Sequence, residues 1–534
     1  MNNELLFPYP SRRNLVYASR GMVASSQHLA TQAGLEILKK GGNAVDAAIA
    51  TAMALCVVEP MANGLGGDAF IIVCKDKKLY GLNASGPAPR AISVGAVRAM
   101  GYDEMPATGL APINVPGMVR GWARLSERFG SMPLEEAAAP ALSYAEDGFA
   151  VSASVAASWA SAYARAYTCG KSDPSINGWF DAFAPKGRAP LAGETWTQRD
   201  QARTIRMIAK SGAKDFYEGA AAERMDGYMR AIGGFLRGED LAAYEPEWVD
   251  PVSVKFRDHE IWELPPNGQG LVALMALNIL NGIALTSRDS VADWHNQIEA
   301  IKLAFTDGMR HITDPKHMDV SVENLLSGDL ASKRRAMICE RAIDPQSVPY
   351  MGKDTVYFNA ADGDGMMVSF IQSLYESFGS CVTVPGLGVS FQNRGANFTL
   401  DERHINVLAP GKRPYHTIIP AFLTKGGEPA GPFGVMGGFM QPQGHLQVAV
   451  NMIDYGMNPQ AALDAPRWQW HSGRRVLFEH GAPEHIVRGL KQMGHQAEYA
   501  PDAGYGRGQV IMRHPLGGYV GATEPRTDGA VLGW

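Results

Sequence analysis

Thr355 is the residue with the clearest potential for chemistry, because it follows Asp354 directly at the start of a strand-like segment. A threonine hydroxyl becomes a nucleophile only when something activates it, and a threonine at a strand start is usually a simple β-former. The sequence contains no G-x-S-x-G, Walker, H-E-x-x-H or C-x-x-C motif. The glycine clusters at 63–68 and 434–438 also lack the spacing of phosphate-binding loops.

The predicted local structure changes at Thr355, from a polar linker to strands. Residues 334–354 are polar and contain two prolines, which predicts an exposed linker. After it, 355–361 and 366–373 are strand-like and are joined by the glycine-rich turn at 362–365. We therefore expect Thr355 to open the first strand of a hairpin.

Two helices are predicted near the N-terminus. Residues 25–40 form an amphipathic pattern that Ser25 or Ser26 can cap, and Asn43 can cap a second, apolar helix from Ala44 to Cys56. Helical patterns dominate 116–235, whereas strands dominate after the linker. Helices and strands thus occur in blocks, which favours an α+β architecture.

Composition excludes several classes of protein. The 534 residues include 46% hydrophobic and 19% charged residues, so the chain is not disordered. A net charge of −5 without a basic run argues against binding of nucleic acid. No apolar run is long enough to cross a membrane, and the first residues do not resemble a secretory signal. With five scattered cysteines and 13 scattered histidines, we expect a cytoplasmic protein without a metal.

Seven ordered motifs give the sequence a specific resemblance. Together they are similar to the gamma-glutamyltransferase family of N-terminal nucleophile hydrolases, from about Arg20 to the C-terminus. The fold that this resemblance implies is a four-layer αββα sandwich. The motifs lie at 41–60, 63–70, 354–365, 411–414, 434–438, 451–468 and 521–529.

The resemblance implies that the chain cuts itself between Asp354 and Thr355. Residues 1–354 and 355–534 would then remain together as one intertwined heterodimer, and a further dimer of this unit stays open. Thr355 would be the nucleophile and its own new α-amine the base, since an α-amino pKa of about 7.7–8.0 lies near working pH. No cofactor is implied.

Three further catalytic roles follow from matching motif positions. The resemblance assigns Gly437 and Gly438 to the oxyanion site, where their backbone N–H groups would stabilise the developing charge. Ser373 matches a family threonine beside the nucleophile and would hydrogen-bond Thr355. A plain turn at the glycines and a solvent-facing strand hydroxyl at Ser373 are the structural alternatives.

The positions that would bind a gamma-glutamyl group in this family carry different residues here. Ser85 stands where the carboxylate-binding arginine belongs, which removes a bidentate contact. Asn397 replaces the acid that would hold the α-ammonium, and Tyr375 replaces an asparagine beside it. His416 and Thr417 replace a pair of serines. We therefore expect a small amide substrate that lacks an α-amino group.

Oxamate, which is hydrolysed to oxalate and ammonia, is the preferred substrate, because the resemblance extends to the oxamate amidohydrolase branch of the family. Arg394 replaces a neutral family position and could hold a small carboxylate, although a structural arginine is an equal alternative. His416 is either a neutral donor to substrate or a satisfied core imidazole. The remaining candidates are a gamma-glutamyl hydrolase or transpeptidase, a cephalosporin-type acylase, and an uncleaved binding protein.

Overall fold

The computed structural model describes residues 9, 13–345, 354–500 and 504–534. The predicted linker at 334–354 therefore lies partly outside the described residues. Its first two residues still belong to a helix that ends at Arg335. Most of 336–341 is exposed, as expected.

The strands of the described chain are, in order, β1 (Val16–Ala18), β2 (Met22–Ser25), β3 (Asp68–Lys75), β4 (Lys78–Ala84), β5 (Phe149–Ala150), β6 (Thr195–Trp196), β7 (Glu247–Val249), β8 (Val252–Phe256), β9 (His259–Glu263), β10 (Asp354–Ala361), β11 (Met367–Tyr375), β12 (Thr383–Val384), β13 (Val389–Ser390), β14 (Ala421–Lys425), β15 (Glu428–Met436), β16 (Trp468–Ser472), β17 (Arg475–Phe478), β18 (Gln496–Tyr499), β19 (Arg507–Arg513), β20 (Tyr519–Thr523) and β21 (Ala530–Gly533).

The helices are α1 (His28–Lys39), α2 (Ala44–Val58), α3 (Val94–Ala99), α4 (Met118–Phe129), α5 (Leu134–Glu146), α6 (Ala153–Gly170), α7 (Asn177–Phe183), α8 (Arg199–Ser211), α9 (Lys214–Glu218), α10 (Ala220–Ala231), α11 (Gly238–Ala242), α12 (Gly270–Leu280), α13 (Val291–His311), α14 (Val322–Leu325), α15 (Gly328–Arg335), α16 (Met440–Ile453), α17 (Pro459–Asp464) and α18 (Glu484–Gln492). Short 3-10 turns occur at Pro174–Ile176, Pro315–His317 and Arg394–Asn397.

Two seven-stranded antiparallel sheets form the centre of the molecule. Their strand orders are β1-β20-β19-β15-β14-β9-β8 and β21-β2-β10-β11-β3-β4-β7. An apolar layer that includes Phe70, Tyr357, Ile371 and Phe422 fills the space between the two sheets. Helices α2 and α12 pack on the two outer faces, so the predicted α+β, four-layer αββα sandwich is confirmed.

Both sheets take strands from either side of the Asp354–Thr355 bond. In the second sheet β2, β3, β4 and β7 precede the bond, whereas β10, β11 and β21 begin at it or follow it. In the first sheet β1, β8 and β9 precede it and the other four strands follow. The stretches 1–354 and 355–534 are therefore interleaved in one body.

Helix α2 lies on β10 and β11 and all of its residues are buried. The predicted cap is confirmed: the Asn43 side-chain oxygen accepts from the N–H groups of Val45 and Asp46 at 2.9 and 3.1 Å. The Asp46 carboxylate in turn accepts from the Asn43 N–H at 2.9 Å. This capping box satisfies donors that have no partner within the helix.

The predicted cap of α1 is wrong. Gln27, not Ser25 or Ser26, accepts from the N–H groups of Leu29 and Ala30 through its side-chain oxygen, at 2.6 and 3.3 Å. Ser25 is instead the last residue of β2, and Ser26 donates to the Glu59 carboxylate at 2.6 Å. The strand runs further than the helical periodicity indicated, so the helix starts later. Among the described residues, no helix is long and apolar enough to span a membrane.

We predict that Asn43→Ala lowers the free energy of unfolding by about 1 kcal/mol, the usual contribution of an N-cap side chain. Thermal unfolding at a fixed scan rate measures the loss. Asn43→Asp is the control, because it keeps the capping oxygen while losing the bond from Asn43 Nδ2 to the Phe129 carbonyl at 2.7 Å. Equal destabilisation by both variants would contradict a capping role.

Candidate active site

The β10–β11 hairpin brings Thr355 and Ser373 together. Asp354 pairs with Tyr375 and Val356 with Gln372, and the register shifts between these pairs at Thr355. Such an irregularity re-aims a side chain. The buried Thr355 places its Oγ1 3.0 Å from Ser373 Oγ.

The carbonyl oxygen of Asp354 lies beside both hydroxyls. Thr355 Oγ1 is 2.7 Å from it and Ser373 Oγ 3.1 Å. Ser373 Oγ accepts from the Tyr375 N–H at 2.7 Å and from Arg394 Nη2 at 3.2 Å. Since N–H groups only donate, the Ser373 proton is left for the carbonyl oxygen or for Thr355. The bond that precedes Thr355 is therefore polarised by hydroxyl donors.

Arg394 is fully buried against this cluster. Its Nη1 donates to Thr417 Oγ1 at 2.5 Å, and its guanidinium lies 4.2 Å above the centre of the Tyr375 ring. Nε has no hydrogen-bond partner, and within the described residues no carboxylate lies at ion-pair distance from Arg394. Burial lowers the pKa of Arg394 to about 10, so the group still carries its charge at neutral pH.

Tyr375, whose ring lies against Arg394, is hydrogen-bonded to Asn397. Tyr375 Oη donates to Asn397 Oδ1 at 2.7 Å, and Asn397 Nδ2 donates to the Tyr415 carbonyl at 3.0 Å. Tyr375 has a φ of +83°, a strained value for a residue with a side chain. That conformation directs its N–H to Ser373 while its ring covers Arg394.

His416 is held in the interior by Asp68. Its Nε2 lies 3.1 Å from Asp68 Oδ2, and its Nδ1 accepts from the Ile418 N–H at 3.3 Å. The ring also contacts Phe70, with centroids 4.8 Å apart. Both ring nitrogens of His416 thus have protein partners, while its predicted contact with substrate stays a prediction.

Ser85 belongs to a buried amide network behind His416. Its hydroxyl donates to Asn83 Oδ1 at 2.7 Å, and Asn83 donates to Asn267 Oδ1 at 3.0 Å. The Asn267 carbonyl accepts from the His416 N–H at 2.9 Å. Ser85 is therefore linked to His416 through Asn83 and Asn267. Among the described residues, no hydrogen bond joins Ser85 to Arg394.

Gly437 and Gly438 form the turn between β15 and α16, with φ values of +135° and +60°. The turn is tied to the arginine: Gln269 Nε2 donates to the Gly438 carbonyl at 2.9 Å and to the Thr417 carbonyl at 2.6 Å. A Cβ on Gly437 would approach Gly506 Cα to 3.0 Å, which explains the need for glycine there. Among the described hydrogen bonds, neither glycine N–H is a donor.

A continuous chain of contacts therefore links most of the predicted residues: Thr355, Ser373, Arg394 and Thr417, then Gln269 to the glycine turn. Sequence reasoning missed Asp68, Gln269 and Gln392. Gln392 donates through Nε2 to Asp68 Oδ2 at 3.2 Å, and its Oε1 accepts from the Arg394 backbone N–H at 2.6 Å. The position of Asp68 directly after the glycines at 63–67 was the available signal for it. No sequence signal marked the two glutamines.

One group of side chains outside this site has metal-like spacing. His295, Glu299 and His495 are buried and offer ligand atoms within 4.8 Å of one another. However, Lys302 Nζ lies 2.7 Å from Glu299 Oε1 and already supplies the carboxylate with a cation. His295 Nδ1 also lies 2.8 Å from His495 Nε2, a spacing that a hydrogen bond explains. The expectation of no metal remains a prediction.

A cleft of about 1110 Å³ opens next to the site. Asn397, Tyr415 and Phe439 are among its lining residues, and Phe439 directly follows Gly438. The exposed Arg310 of α13 lines another wall. The cleft has room for a group larger than the small amide expected from the sequence.

Comparison with known proteins identifies the family of this chain. The family model described as Gamma-glutamyltranspeptidase matches residues 30–534. The glutathione hydrolase-like YwrD proenzyme of Bacillus subtilis is 37% identical over 97% of this chain and 99% of its own. The oxamate amidohydrolase proenzyme of Klebsiella pneumoniae is 36% identical over the same shares of the two chains.

The solved structures include a cephalosporin acylase from Bacillus halodurans with a TM-score of 0.95. It is 54% identical, and the match covers 100% of this chain and 99% of that one. Since the family model spans nearly the whole sequence and full-length relatives exceed 30% identity, this chain belongs to the gamma-glutamyltranspeptidase family of N-terminal nucleophile hydrolases.

Proposed function

We propose that this chain is a self-cleaving amidohydrolase with Thr355 as its nucleophile, and that its substrate is a small amide with a carboxylate beside the scissile carbonyl. The observation that carries the substrate class is Arg394, a fully buried guanidinium one hydroxyl away from the nucleophile and without an ion-pair partner among the described residues. A buried charge is costly unless a counter-charge compensates it. A substrate carboxylate would supply that counter-charge.

The contacts of the Asp354 carbonyl support self-cleavage. Thr355 Oγ attacks the carbonyl carbon, and the acyl group passes from nitrogen to oxygen. Charge develops on the carbonyl oxygen, where the Ser373 hydroxyl lies 3.1 Å away and strengthens its hydrogen bond as the charge grows. Water then hydrolyses the ester, which leaves a carboxylate on Asp354 and a free α-amine on Thr355.

After cleavage, the Thr355 hydroxyl attacks the substrate. The α-amine of Thr355 accepts the hydroxyl proton as Oγ attacks the amide carbon, and that proton leaves with the amine product. The N–H groups of Gly437 and Gly438 stabilise the oxyanion. Water hydrolyses the acyl-enzyme and restores Thr355.

Oxamate is the preferred substrate within this class. Its carboxylate is bonded directly to the amide carbon, which matches an arginine separated from the nucleophile only by Ser373. The same chemistry argues against a gamma-glutamyl substrate, since Ser85 and Asn397 offer neither an arginine nor an acid for its α-carboxylate and α-ammonium. The full-length similarity to the Klebsiella oxamate amidohydrolase supports this choice.

An acylase is the second candidate. The cleft beside Asn397 and Phe439 has room for a long acyl or amine group, which oxamate does not need. The 54% identity to the Bacillus halodurans cephalosporin acylase favours the same alternative. The two candidates share the nucleophile and differ in what fills the cleft.

We predict that Thr355→Ala remains a single uncut chain without activity, because no other hydroxyl replaces the nucleophile. Thr355→Ser should still be cut, more slowly. Denaturing gels over a long incubation give the result. Thr383→Ala removes a buried strand threonine elsewhere and should be cut normally; normal cutting of Thr355→Ala would refute the assignment.

We predict that Arg394→Gln raises KM for oxamate by about 10- to 100-fold, the effect of losing hydrogen bonds to a charged group worth about 1.5–3 kcal/mol. Hydrolysis of oxamide, which has the same shape without the charge, should change much less. Steady-state ammonia release measures both. Arg310→Gln, at the cleft, is the control for a general loss of positive charge, and an equal effect on oxamate there would overturn the role of Arg394.

We predict ammonia release from oxamate and little turnover of gamma-glutamyl-nitroanilide, because the residues for an α-ammonium are absent. Parallel assays on the fully cut enzyme compare kcat/KM for the two. An acylated cephalosporin is the third substrate in the series. Faster hydrolysis of the cephalosporin would replace oxamate by the acylase alternative, and robust nitroanilide turnover would exclude both.

A further inference from the structure

Gln269 is a fully buried residue that contacts the glycine turn and that the proposed mechanism does not use. Its side-chain Nε2 donates to the Gly438 carbonyl at 2.9 Å and to the Thr417 carbonyl at 2.6 Å. Its Oε1 accepts from Tyr415 Oη at 3.1 Å. Both polar atoms of the side-chain amide therefore have partners, and one planar group joins three parts of the site.

The partners of Gln269 determine which way its amide points. Carbonyl oxygens only accept, so the NH2 end must face Gly438 and Thr417, and Oε1 must face the Tyr415 hydroxyl. A flipped amide would bring Oε1 against two carbonyl oxygens, without a donor between them, in a buried place where such a loss is costly. The Gln269 side chain therefore has a single orientation.

The helix that begins beside Gln269 does not use this side chain. Gln269 directly precedes α12, at the position from which a side chain ordinarily caps the free N–H groups of the first turn, and it makes no such bond. Gln27 stands at the same position before α1 and does cap that helix through its Oε1. A glutamine can thus cap a helix in this protein, whereas the amide of Gln269 is directed to the glycine turn instead.

The glycine turn needs a contact from outside because glycine has little conformational preference of its own. Gly438 has a φ of +60° and no Cβ that would restrict its backbone. From α16, the Gly438 carbonyl accepts only the longer bond of the Gln441 N–H, at 3.2 Å. The bond from Gln269 holds this carbonyl on one side of the Gly438 Cα. It thereby limits the rotation that would re-aim the N–H on the other side.

We propose that Gln269 is a positioning residue that aims the N–H groups of the glycine turn at the developing oxyanion. This inference rests on the oxyanion role proposed for Gly437 and Gly438. Gln269 belongs to the stretch 1–354, whereas the glycine turn, Thr417 and Tyr415 belong to 355–534. The first stretch therefore supplies a side chain on which the catalytic turn of the second depends.

Self-cleavage and substrate hydrolysis depend on Gln269 differently. In the proposed cleavage the charge on the Asp354 carbonyl is stabilised by the Ser373 hydroxyl, not by the glycine turn. Substrate hydrolysis passes through an oxyanion twice, once when the acyl-enzyme forms and once when it is hydrolysed. A misaimed turn slows both steps. The value of kcat therefore falls, while KM, which depends on the ratio of the two steps, changes little.

A change of the Gln269 side chain leaves the neighbouring main-chain contacts in place. The Gln269 backbone N–H donates to the His416 carbonyl at 2.9 Å, and the His416 N–H donates to the Asn267 carbonyl at 2.9 Å. These bonds hold the segment that carries Thr417, the hydroxyl partner of Arg394. The arginine site should therefore survive the loss of the Gln269 amide.

Gln269→Met tests the inference, because it keeps the length of the side chain and removes its donors. The variant should cut itself at the wild-type rate on denaturing gels and release ammonia from oxamate with a kcat reduced by about 10- to 100-fold. Gln447→Met is the matched control and should keep the wild-type kcat. The buried Gln447 donates through Nε2 to the carbonyls of Gln443 and Trp468 at 3.1 and 2.9 Å, further along α16.

The ester p-nitrophenyl acetate separates this inference from the choice of substrate. It acylates a hydroxyl nucleophile through an oxyanion but carries no carboxylate for Arg394. The fully cut wild-type enzyme should release nitrophenolate rapidly, and Gln269→Met should slow that release by a factor similar to its effect on kcat. Slower release in the variant, together with no oxamate hydrolysis by the wild-type enzyme, would keep Gln269 and discard the substrate.

A crystal structure of cut Gln269→Met gives a result that needs no substrate. The Gly438 carbonyl should turn away from its wild-type direction, and an unmoved glycine turn would overturn the role of Gln269. Wild-type rates on both oxamate and the ester would do the same, and so would self-cleavage slowed as much as turnover, which indicates a general loss of structure. If Gln269→Met does not fold, Tyr415→Phe decides. It removes only the hydroxyl that holds Oε1 and should lower kcat, so an unchanged kcat would refute the inference.

Discussion

The position of β10 inside the second sheet is the constraint on which the site depends. β10 pairs with β11 from Asp354 to Ala361 and with β2 from Asn359 to Ala361, so β11 fixes the backbone beside Thr355 and both neighbours fix the far end of the strand. Thr355 is set at the end of this strand, where the register shift turns its hydroxyl to Ser373. The arginine and the glycine turn are brought to this fixed point by later parts of the chain.

The two oppositely charged side chains of the site, Arg394 and Asp68, are not in direct contact. Arg394 is buried among hydroxyls and an aromatic ring, and Asp68 is buried among three N–H donors. One of these donors, Gln392, also accepts from the backbone N–H of Arg394 rather than from its guanidinium. A direct salt bridge would satisfy both groups, and it would leave the guanidinium no free charge for the carboxylate of the proposed substrate. The strained backbone of Tyr375 serves the same arrangement, because it places a ring over the guanidinium and an N–H on Ser373.

Much of the fold could be predicted because its signals are local. The hairpin after Asp354 and the cap at Asn43 each depend on a few neighbouring residues. The cap of α1 was misplaced because pairing of β2 with β21 extends the strand through Ser25, which no local pattern reports. Gln392 and Asp68 were beyond prediction as partners, since they are 324 residues apart and meet where the Gln392 N–H donates to the Gly66 carbonyl at 3.0 Å.

The interleaving of strands from both sides of the Asp354–Thr355 bond has a kinetic consequence. Under the proposed cleavage, the precursor reaches the fold from one chain, but the cut enzyme can return to it after denaturation only from two. Recovery then depends on protein concentration and competes with aggregation, whereas first folding does not. The cut enzyme would therefore depend on kinetic stability: a high barrier to unfolding keeps it native, because refolding from two chains does not readily restore it.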